Sequence, residues 1–343
     1  MVNCSLFHFK GIKPHVLGLR QNGKHVKGEY CIGVVIPAKN EERFIRNVVE
    51  TLPHFVDLAV IINDGSTDNT QAILDSMESS VEMHCITLGG EGVGAAIDAG
   101  HQYLLSHWPN LPFISVVMAG DGQMNPNDME ALLRPVVENR AEYSQGNRFS
   151  HHLGIENMPK IRRIASRILS LFTGLASGQV TPDPQCGYTA THHEVLNEWK
   201  WSDSWRGYGY PNFWLIRLSA LGFRIVHIPV ESIYGEQKTG IRRLSFFAKV
   251  GLMMAYRHHQ RNISWLFSSR VTPHTIFATI AYVIGWIALL PGISTDLERE
   301  LVGRGITPVF ITIIAWLIAH VFDRGATRTV RELRLSAKAR QKA

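Results

Sequence analysis

With 343 residues, 45% of them hydrophobic, and a mean hydropathy near zero, the chain has room for one large domain plus an appendage. Its net charge of +6 gathers in two stretches, 242–270 and 324–342, beside apolar segments; that placement points to an anionic membrane face and away from nucleic acid, for which aromatics would have to alternate with Lys and Arg. The cysteines Cys4, Cys31, Cys85 and Cys186 form no CxxC, so neither a zinc site nor a disulfide framework is indicated and a reducing compartment fits.

Residues 1–29 carry little pattern and are set apart as an N-terminal extension. Phe7-His8-Phe9-Lys10 breaks its apolar character at once, so no cleaved signal peptide is expected. A catalytic-looking domain is expected over 30–240. The apolar run Ile32–Ile36 is ended by Pro37; Lys39, Asn40, Glu41 and Glu42 then lead into a helix with apolar positions at Phe44, Ile45, Val48, Val49 and Leu52. Leu58–Ile62 reads as a second buried strand, followed by a turn at Asn63-Asp64-Gly65-Ser66 and a helix over 70–77. Strands and helices alternating at this spacing imply a Rossmann-like α/β fold, a mostly parallel sheet with helices on both faces.

Gly89–Gly100 is a glycine-rich loop running into an alanine-rich helix. Gly90, Gly92 and Ala95 match a dinucleotide-binding fingerprint only loosely, and the loop follows the third βα element instead of the first strand. The glycines are read as allowing close backbone approach to a ligand or to the sheet. Ser115–Met118 is a further strand, and the turn Ala119-Gly120-Asp121-Gly122-Gln123 puts a carboxylate at its carboxyl end, where open α/β sheets bind ligands. Asp121 and Gln123 offer the hard oxygens that suit Mg²⁺ or Mn²⁺; the same pattern also fits an Asx-turn that merely closes a strand.

After Pro126 comes a helix through Leu132, Leu133 and Val136, then a strand over 143–149 that ends on the cation Arg148. Residues 158–175 place Ile161, Ile164, Ile168, Phe172 and Leu175 on one stripe, which serves either a core-facing helix or one at an interface. A helix stopped by Gly222 precedes a last strand. Residues 241–270 form a basic amphipathic segment, with Leu244, Phe247, Val250 and Met254 on the side assigned to a headgroup plane. Two segments without Lys, Arg, Asp or Glu, 275–293 and 306–322, make a two-helix transmembrane hairpin within 271–324. Arg flanks both ends, while Asp296, Glu298 and Glu300 lie in the connection. The positive-inside rule then keeps the catalytic domain and a basic tail, 325–343, on the cytoplasmic side.

Val34–Glu41, Asn63–Asp68, Asp183-Pro184-Gln185-Cys186-Gly187-Tyr188 and Ile233–Lys238 together resemble family 2 glycosyltransferases of the GT-A fold. Within that family they are similar to the polyprenyl-phosphate enzymes, the dolichol-phosphate mannose synthases and dolichyl-phosphate β-glucosyltransferases. The resemblance implies a nucleotide-sugar held by Pro37, Lys39, Asn40, Glu41, Asp64, Gly92, Gly120 and Asp121. It implies Mg²⁺ or Mn²⁺ at Asp121 and Gln123, an acceptor phosphate gripped by Arg148, Arg162 and Ser166, and a closing loop with Tyr234 and Lys238. Asp183 would orient the acceptor, steady that loop or serve as a structural cap. Two departures stand out: Ala119 replaces the first carboxylate of the Asp-x-Asp-x-Gln metal motif, and Ser232 replaces a third arginine, for which Arg242 or Arg243 would substitute. The implied reaction is inverting transfer from UDP-glucose, favoured by Gln185-Cys186-Gly187, or from GDP-mannose, to a polyprenyl phosphate. A hydroxyl-acceptor glycolipid or polysaccharide transferase and a catalytically silent membrane relative are the rivals, and a homo-oligomer is left open.

Overall fold

A computed structural model describes residues 16–21, 24–155, 158–233, 243–290, 293, 295–296, 299–300 and 308–342. Tyr234, Lys238 and Arg242 lie outside the described residues. An antiparallel hairpin of β1 (Val16–Gln21) and β2 (Lys24–Glu29) precedes the main sheet. That sheet is built from β3 (Cys31–Ala38), β4 (Leu58–Asp64), β5 (Glu82–Leu88), β6 (Phe113–Val117), β7 (Tyr143–Asn147), β8 (Thr189–His192) and β9 (Ile225–Pro229), in the order β5-β4-β3-β6-β8-β7-β9. Only β8 runs against its neighbours. The architecture is the mixed α/β sheet of the GT-A type, and the reversed β8 is the strand that hydropathy alone did not mark.

Period-two alternation sends β3 to both faces: Ile32, Val34 and Ile36 pack on one side, Cys31 and Val35 on the other. The first side is covered by α1 (Ile45–Glu50), α2 (Thr70–Asp75) and α4 (Met129–Val137). The second is covered by α3 (Val93–His107), α6 (His193–Asn197) and α7 (Tyr210–Leu221), which ends where Gly222 turns left-handed at φ 78°. Each fully buried Val, Leu or Ile contributes about 1.5–3 kcal/mol, so these two layers hold the strand ends in register. The carboxyl ends of β3, β4 and β6 thereby open on one edge of the sheet.

The helix α5 (Lys160–Ser177) is turned inside out relative to a core helix. Ser166, Leu169, Thr173, Ala176 and Ser177 face the protein, while Ile161, Ile164 and Phe172 are 59%, 60% and 50% exposed. The core-facing alternative for this stripe is therefore corrected: burial went to the small and polar face. In α8 (Arg243–Leu266) the opposite correction applies. Val250 and Met254, assigned to headgroups, are buried with Met253 against the α/β domain, and Phe247 packs beside them. A different stripe, Leu252, Tyr256 and Ile263, is exposed.

Two further helices, α9 (Pro273–Ala288) and α10 (Pro308–Lys342), pack antiparallel. Thr312 Oγ1 donates to the Gly285 carbonyl at 3.1 Å, Tyr282 Oη meets His320 Nδ1 at 3.0 Å, and the Trp286 and Trp316 rings lie 5.0 Å apart. Small residues, Ala278, Ala281, Gly285 and Ala319, let the two backbones approach, while Phe277, Ile280, Phe310, Ile314 and Leu317 point outward. Among the described residues only α10 is long and apolar enough to cross a bilayer, with a best window of mean hydropathy 1.6; α9 has 16 residues. The segment 325–342 is no separate tail but the second half of α10. It returns to the α/β domain, where Arg331 donates to Gln179 Oε1 at 2.7 Å and Arg334 donates to Glu198 and lies 3.7 Å over the Phe223 ring. Lys338 adds an ion pair with Glu194.

The junction of α8 and α10 is closed by an ion pair between Arg261 and Asp323, which are 1% and 0% exposed at the side chain. Removing one partner strands the other charge in the protein. Asp323→Ala is expected to cost about 3–5 kcal/mol, read as a lowered unfolding midpoint in detergent, whereas the apolar double variant Arg261→Met/Asp323→Leu should recover most of it.

Candidate active site

Three loops at the carboxyl edge of β3, β4 and β6 are tied together by short polar side chains. Asn40, left-handed at φ 58°, accepts from Thr67 N at 2.8 Å, and its own N–H donates to Ser66 Oγ at 2.9 Å. Glu41 N donates to Thr70 Oγ1, Glu42 N to Asp68, and Asn69 back to Glu42. Lys39 Nζ stands 3.9 Å from Asp64. The Asp64 carboxylate in turn accepts from the backbone N–H groups of Glu91 and Gly92 at 2.6 and 2.9 Å. Pro37 accepts through its carbonyl from Gly120 N at 3.0 Å, which sets the turn that carries Asp121.

The glycine-rich loop proves to be a packing joint. A Cβ on Gly92 would stand 2.6 Å from the Arg206 carbonyl oxygen, and one on Gly94 would collide with the Trp205 carbonyl. Gly94 N donates to Arg206 O at 2.7 Å, so the first turn of α3 is capped by the segment 205–206. The close approach that Gly92 and Gly94 allow is thus to the segment 205–206, a partner that the sequence did not disclose, while Gly100 makes the expected approach to the sheet, where a Cβ would collide with Val35. The same segment carries Tyr208 and Gly209 onward to α8, where a Cβ on Gly209 would meet Val250 at 2.6 Å.

A cavity of about 550 Å³ lies beside this edge. Its wall brings together Asp121, Gln123, Arg148, Arg162 and Ser166 from three separate elements, with Gln185, Cys186 and Gly187 and the apolar Ile161, Phe246 and Phe247 also lining it. Arg162 and Ser166 stand one helical turn apart on the inward face of α5, which is why a spacing of four selected both. Pro37, Lys39, Asn40, Glu41, Asp64, Gly92 and Gly120 do not line it; they form the adjoining loop edge. Tyr208 and Tyr210 do line it, and the sequence reading missed both. Their signal was present as two tyrosines interleaved with glycine in Gly207-Tyr208-Gly209-Tyr210. Tyr210 is held from behind, its hydroxyl donating to the buried Asp98 at 2.6 Å; burial pushes the Asp98 carboxyl up to about 6.

Arg148 and Asp183 form a buried bidentate pair, Nε to Oδ2 at 2.7 Å and Nη2 to Oδ1 at 2.8 Å, with the Arg148 backbone N–H on Oδ2 at 3.0 Å. Asp183 therefore fixes the plane of the Arg148 guanidinium, beyond any role as a plain cap. Gln123 N donates to Asp121 Oδ1 at 3.0 Å, so the Asx-turn exists, and its carboxylate is still part of the cavity wall. Burial holds the Asp121 carboxyl above the usual range, opposed by the Arg162 charge. One buried carboxylate beside a side-chain amide suits Mg²⁺, which keeps several waters and takes its remaining ligands from phosphate oxygens; among the described residues no group of three His, Cys, Asp or Glu offers a fuller cage.

Burial, then the charges of Asp121 and Asp68, pushes the Glu41 carboxyl up from 4.5 to about 7. Between those values the folded chain binds a proton that the unfolded chain has released, so this group's contribution to stability falls as pH rises through the window. In chelator-treated protein Glu41→Gln is expected to flatten the loss of thermal stability between pH 4.5 and about 7. An unchanged slope would place the titration elsewhere.

Residues 33–199 match the family model described as Glycosyl transferase family 2. A UDP-N-acetylglucosamine–dolichyl-phosphate N-acetylglucosaminyltransferase of Methanococcus voltae is 29% identical over 220 residues, 60% of this chain and 86% of that protein. The glycosyltransferase AglD of Haloferax volcanii is 24% identical over 219 residues, 58% of this chain and 32% of its own length. A crystal structure of glucosyl-3-phosphoglycerate synthase from Mycobacterium tuberculosis has a TM-score of 0.49 and 18% identity, covering 68% of this chain and 80% of that one. Residues 33–199, which supply most of the strands and loops around the cavity, are a family 2 glycosyltransferase domain.

Proposed function

We propose that this chain is an inverting, metal-assisted glycosyltransferase that moves a sugar from a nucleotide-sugar to the phosphate of a polyprenyl or dolichyl lipid at a membrane surface. The observation that carries the reading is the convergence of Asp121, Gln123, Arg148, Arg162 and Ser166 in one cavity that the apolar Ile161, Phe246 and Phe247 also line. A nucleotide would lie along the loop edge of Lys39, Asn40, Glu41 and Asp64, and Arg162 with the pre-oriented Arg148 would align the acceptor phosphate. A phosphate monoester oxygen is already anionic near neutral pH, so the acceptor needs no strong general base; Asp183, bound on both oxygens by Arg148, is occupied in positioning. A divalent cation held at Asp121 and Gln123 would neutralise charge on the departing nucleoside diphosphate. Attack from the face opposite that leaving group inverts the anomeric carbon. Ala119 leaves the site one carboxylate short of the family pattern, and Mg²⁺ or Mn²⁺ can make up the difference with water and phosphate oxygens.

The lipid side of the reading rests on apolar surface. The outward stripe of α5, the Leu252-Tyr256-Ile263 stripe of α8 and the outer faces of α9 and α10 leave more contiguous apolar side chain exposed than a protein surrounded by water tolerates. In this reading α9 and α10 form the membrane hairpin, α5 and α8 lie at headgroup level, and the catalytic domain is cytoplasmic. UDP is the favoured nucleotide, with glucose suggested by Gln185-Cys186-Gly187 and N-acetylglucosamine by the dolichyl-phosphate relative; GDP-mannose completes the set.

The test is transfer from labelled UDP- and GDP-sugars to polyprenyl phosphate in detergent with Mg²⁺ or Mn²⁺, scored as organic-extractable label. One donor is expected to label the lipid. Asp121→Asn should lower turnover by about 10²–10³-fold with the unfolding midpoint intact, and undiminished turnover would remove Asp121 from the leaving-group site. Arg162→Ala should raise the KM for lipid phosphate by roughly tenfold or more and leave nucleotide-sugar binding near wild type. Equal losses on both substrates would contradict its assignment.

A further inference from the structure

Behind the cavity wall runs a chain of buried polar side chains that the transfer reaction does not use directly. Gln185 lines the cavity, and its Nε2 donates to Asn212 Oδ1. Asn212, on α7, is completely buried, and its Nδ2 donates to Thr173 Oγ1 at 2.7 Å. Thr173, on α5 and also completely buried, gives its own proton to the sulfur of Met254 on α8 at 3.4 Å. Neither Asn212 nor Thr173 touches the cavity.

The direction of this chain has a chemical consequence. The Thr173 hydroxyl donates to Met254 and accepts from the Asn212 NH₂. Asn212 turns its carbonyl to Gln185, which donates through its NH₂. What remains at the cavity surface is the Gln185 carbonyl oxygen, and none of the described residues donates to it. A bare carbonyl in the cavity that Arg148 and Arg162 also line repels phosphate oxygens and attracts an O–H or N–H. An apolar residue at 212 would fill the same space without the desolvation cost of a buried amide, so packing alone does not explain the asparagine.

We infer that Gln185 is a sugar-contacting residue whose acceptor oxygen takes a hydroxyl or amide proton of the donor sugar, and that Asn212 and Thr173 are positioning residues that hold its amide in that orientation. The inference rests on the nucleotide-sugar reading above and deepens it, since it makes this wall the part of the site that distinguishes a sugar from the bare nucleoside diphosphate.

Binding by the full chain in detergent with Mg²⁺ tests it. UDP and GDP, then UDP-glucose, UDP-N-acetylglucosamine and GDP-mannose, are titrated into wild type, Gln185→Met, Thr173→Val and Thr173→Ser. Gln185→Met keeps the length of the side chain and removes the acceptor; Thr173→Val removes the far end of the relay without touching the cavity; Thr173→Ser restores the hydroxyl. The expected result is a loss of about five- to tenfold in affinity for the preferred nucleotide-sugar, with the matching nucleoside diphosphate unchanged, in Gln185→Met and Thr173→Val, and recovery in Thr173→Ser. A merely structural relay would lower the unfolding midpoint and the active fraction of Thr173→Val without changing the ratio of the two affinities, and that outcome would overturn the proposal. An unchanged ratio in Gln185→Met, or an equal loss for nucleoside diphosphate and nucleotide-sugar, would overturn it as well. A shifted ratio in a protein that labels no lipid phosphate would sustain this inference while the lipid-acceptor reading fell. Wild type that binds none of the nucleotide-sugars would remove both.

Discussion

Burying the Arg148 guanidinium against Asp183 sets the wall from which the cavity is built. The pair joins the end of β7 to the loop that precedes the reversed strand β8, and three hydrogen bonds converge on one carboxylate. A guanidinium taken out of water needs such a partner, because the cost of desolvating it alone would exceed the packing around it. Once the pair forms, the loop 183–187 must run along the cavity, and Gln185, Cys186 and Gly187 are delivered to its surface. Another part of the wall follows from the β6 turn, where the Asx-turn at Asp121 supplies both the local geometry and the carboxylate.

The second constraint is the unusual sidedness of α5. Its inward face of Ser166, Leu169 and Thr173 serves the cavity and the relay to Asn212, so its large aliphatic residues have nowhere to go but outward. In water that arrangement would be unfavourable by about 25 cal/mol for each Å² of apolar surface left exposed. The same surface would be an asset beside a bilayer, and the outer faces of α9 and α10 are apolar too. The cavity and the exposed apolar surface thereby lie on the two sides of one helix.

A third feature links these regions. Asp64 holds the loop of Glu91 and Gly92, Gly92 and Gly94 receive the backbone of 205–206, and Gly209 abuts Val250 of α8. The docked end of α10 adds Arg331, Arg334 and Lys338 to the same body. The loop edge, the cavity and the apolar helices are consequently parts of one packed unit.

The sequence by itself determined the alternating strands and helices and the carboxylate at the end of β6, because hydropathy period and turn chemistry are local properties, whereas Arg148, Arg162 and Ser166 were marked by the family resemblance. It marked the apolar segments of α9 and α10 for the same reason. Only tertiary structure decided which face of α5 and of α8 would be buried, since an amphipathic stripe says that two sides differ and not what each side meets. Only tertiary structure revealed that Gly92 and Gly94 accommodate a distant backbone, that Asp183 grips Arg148, and that Asn212 stands behind Gln185. Those contacts join residues 27 to more than 100 positions apart, and no short-range pattern carries the geometry of a long-range hydrogen bond.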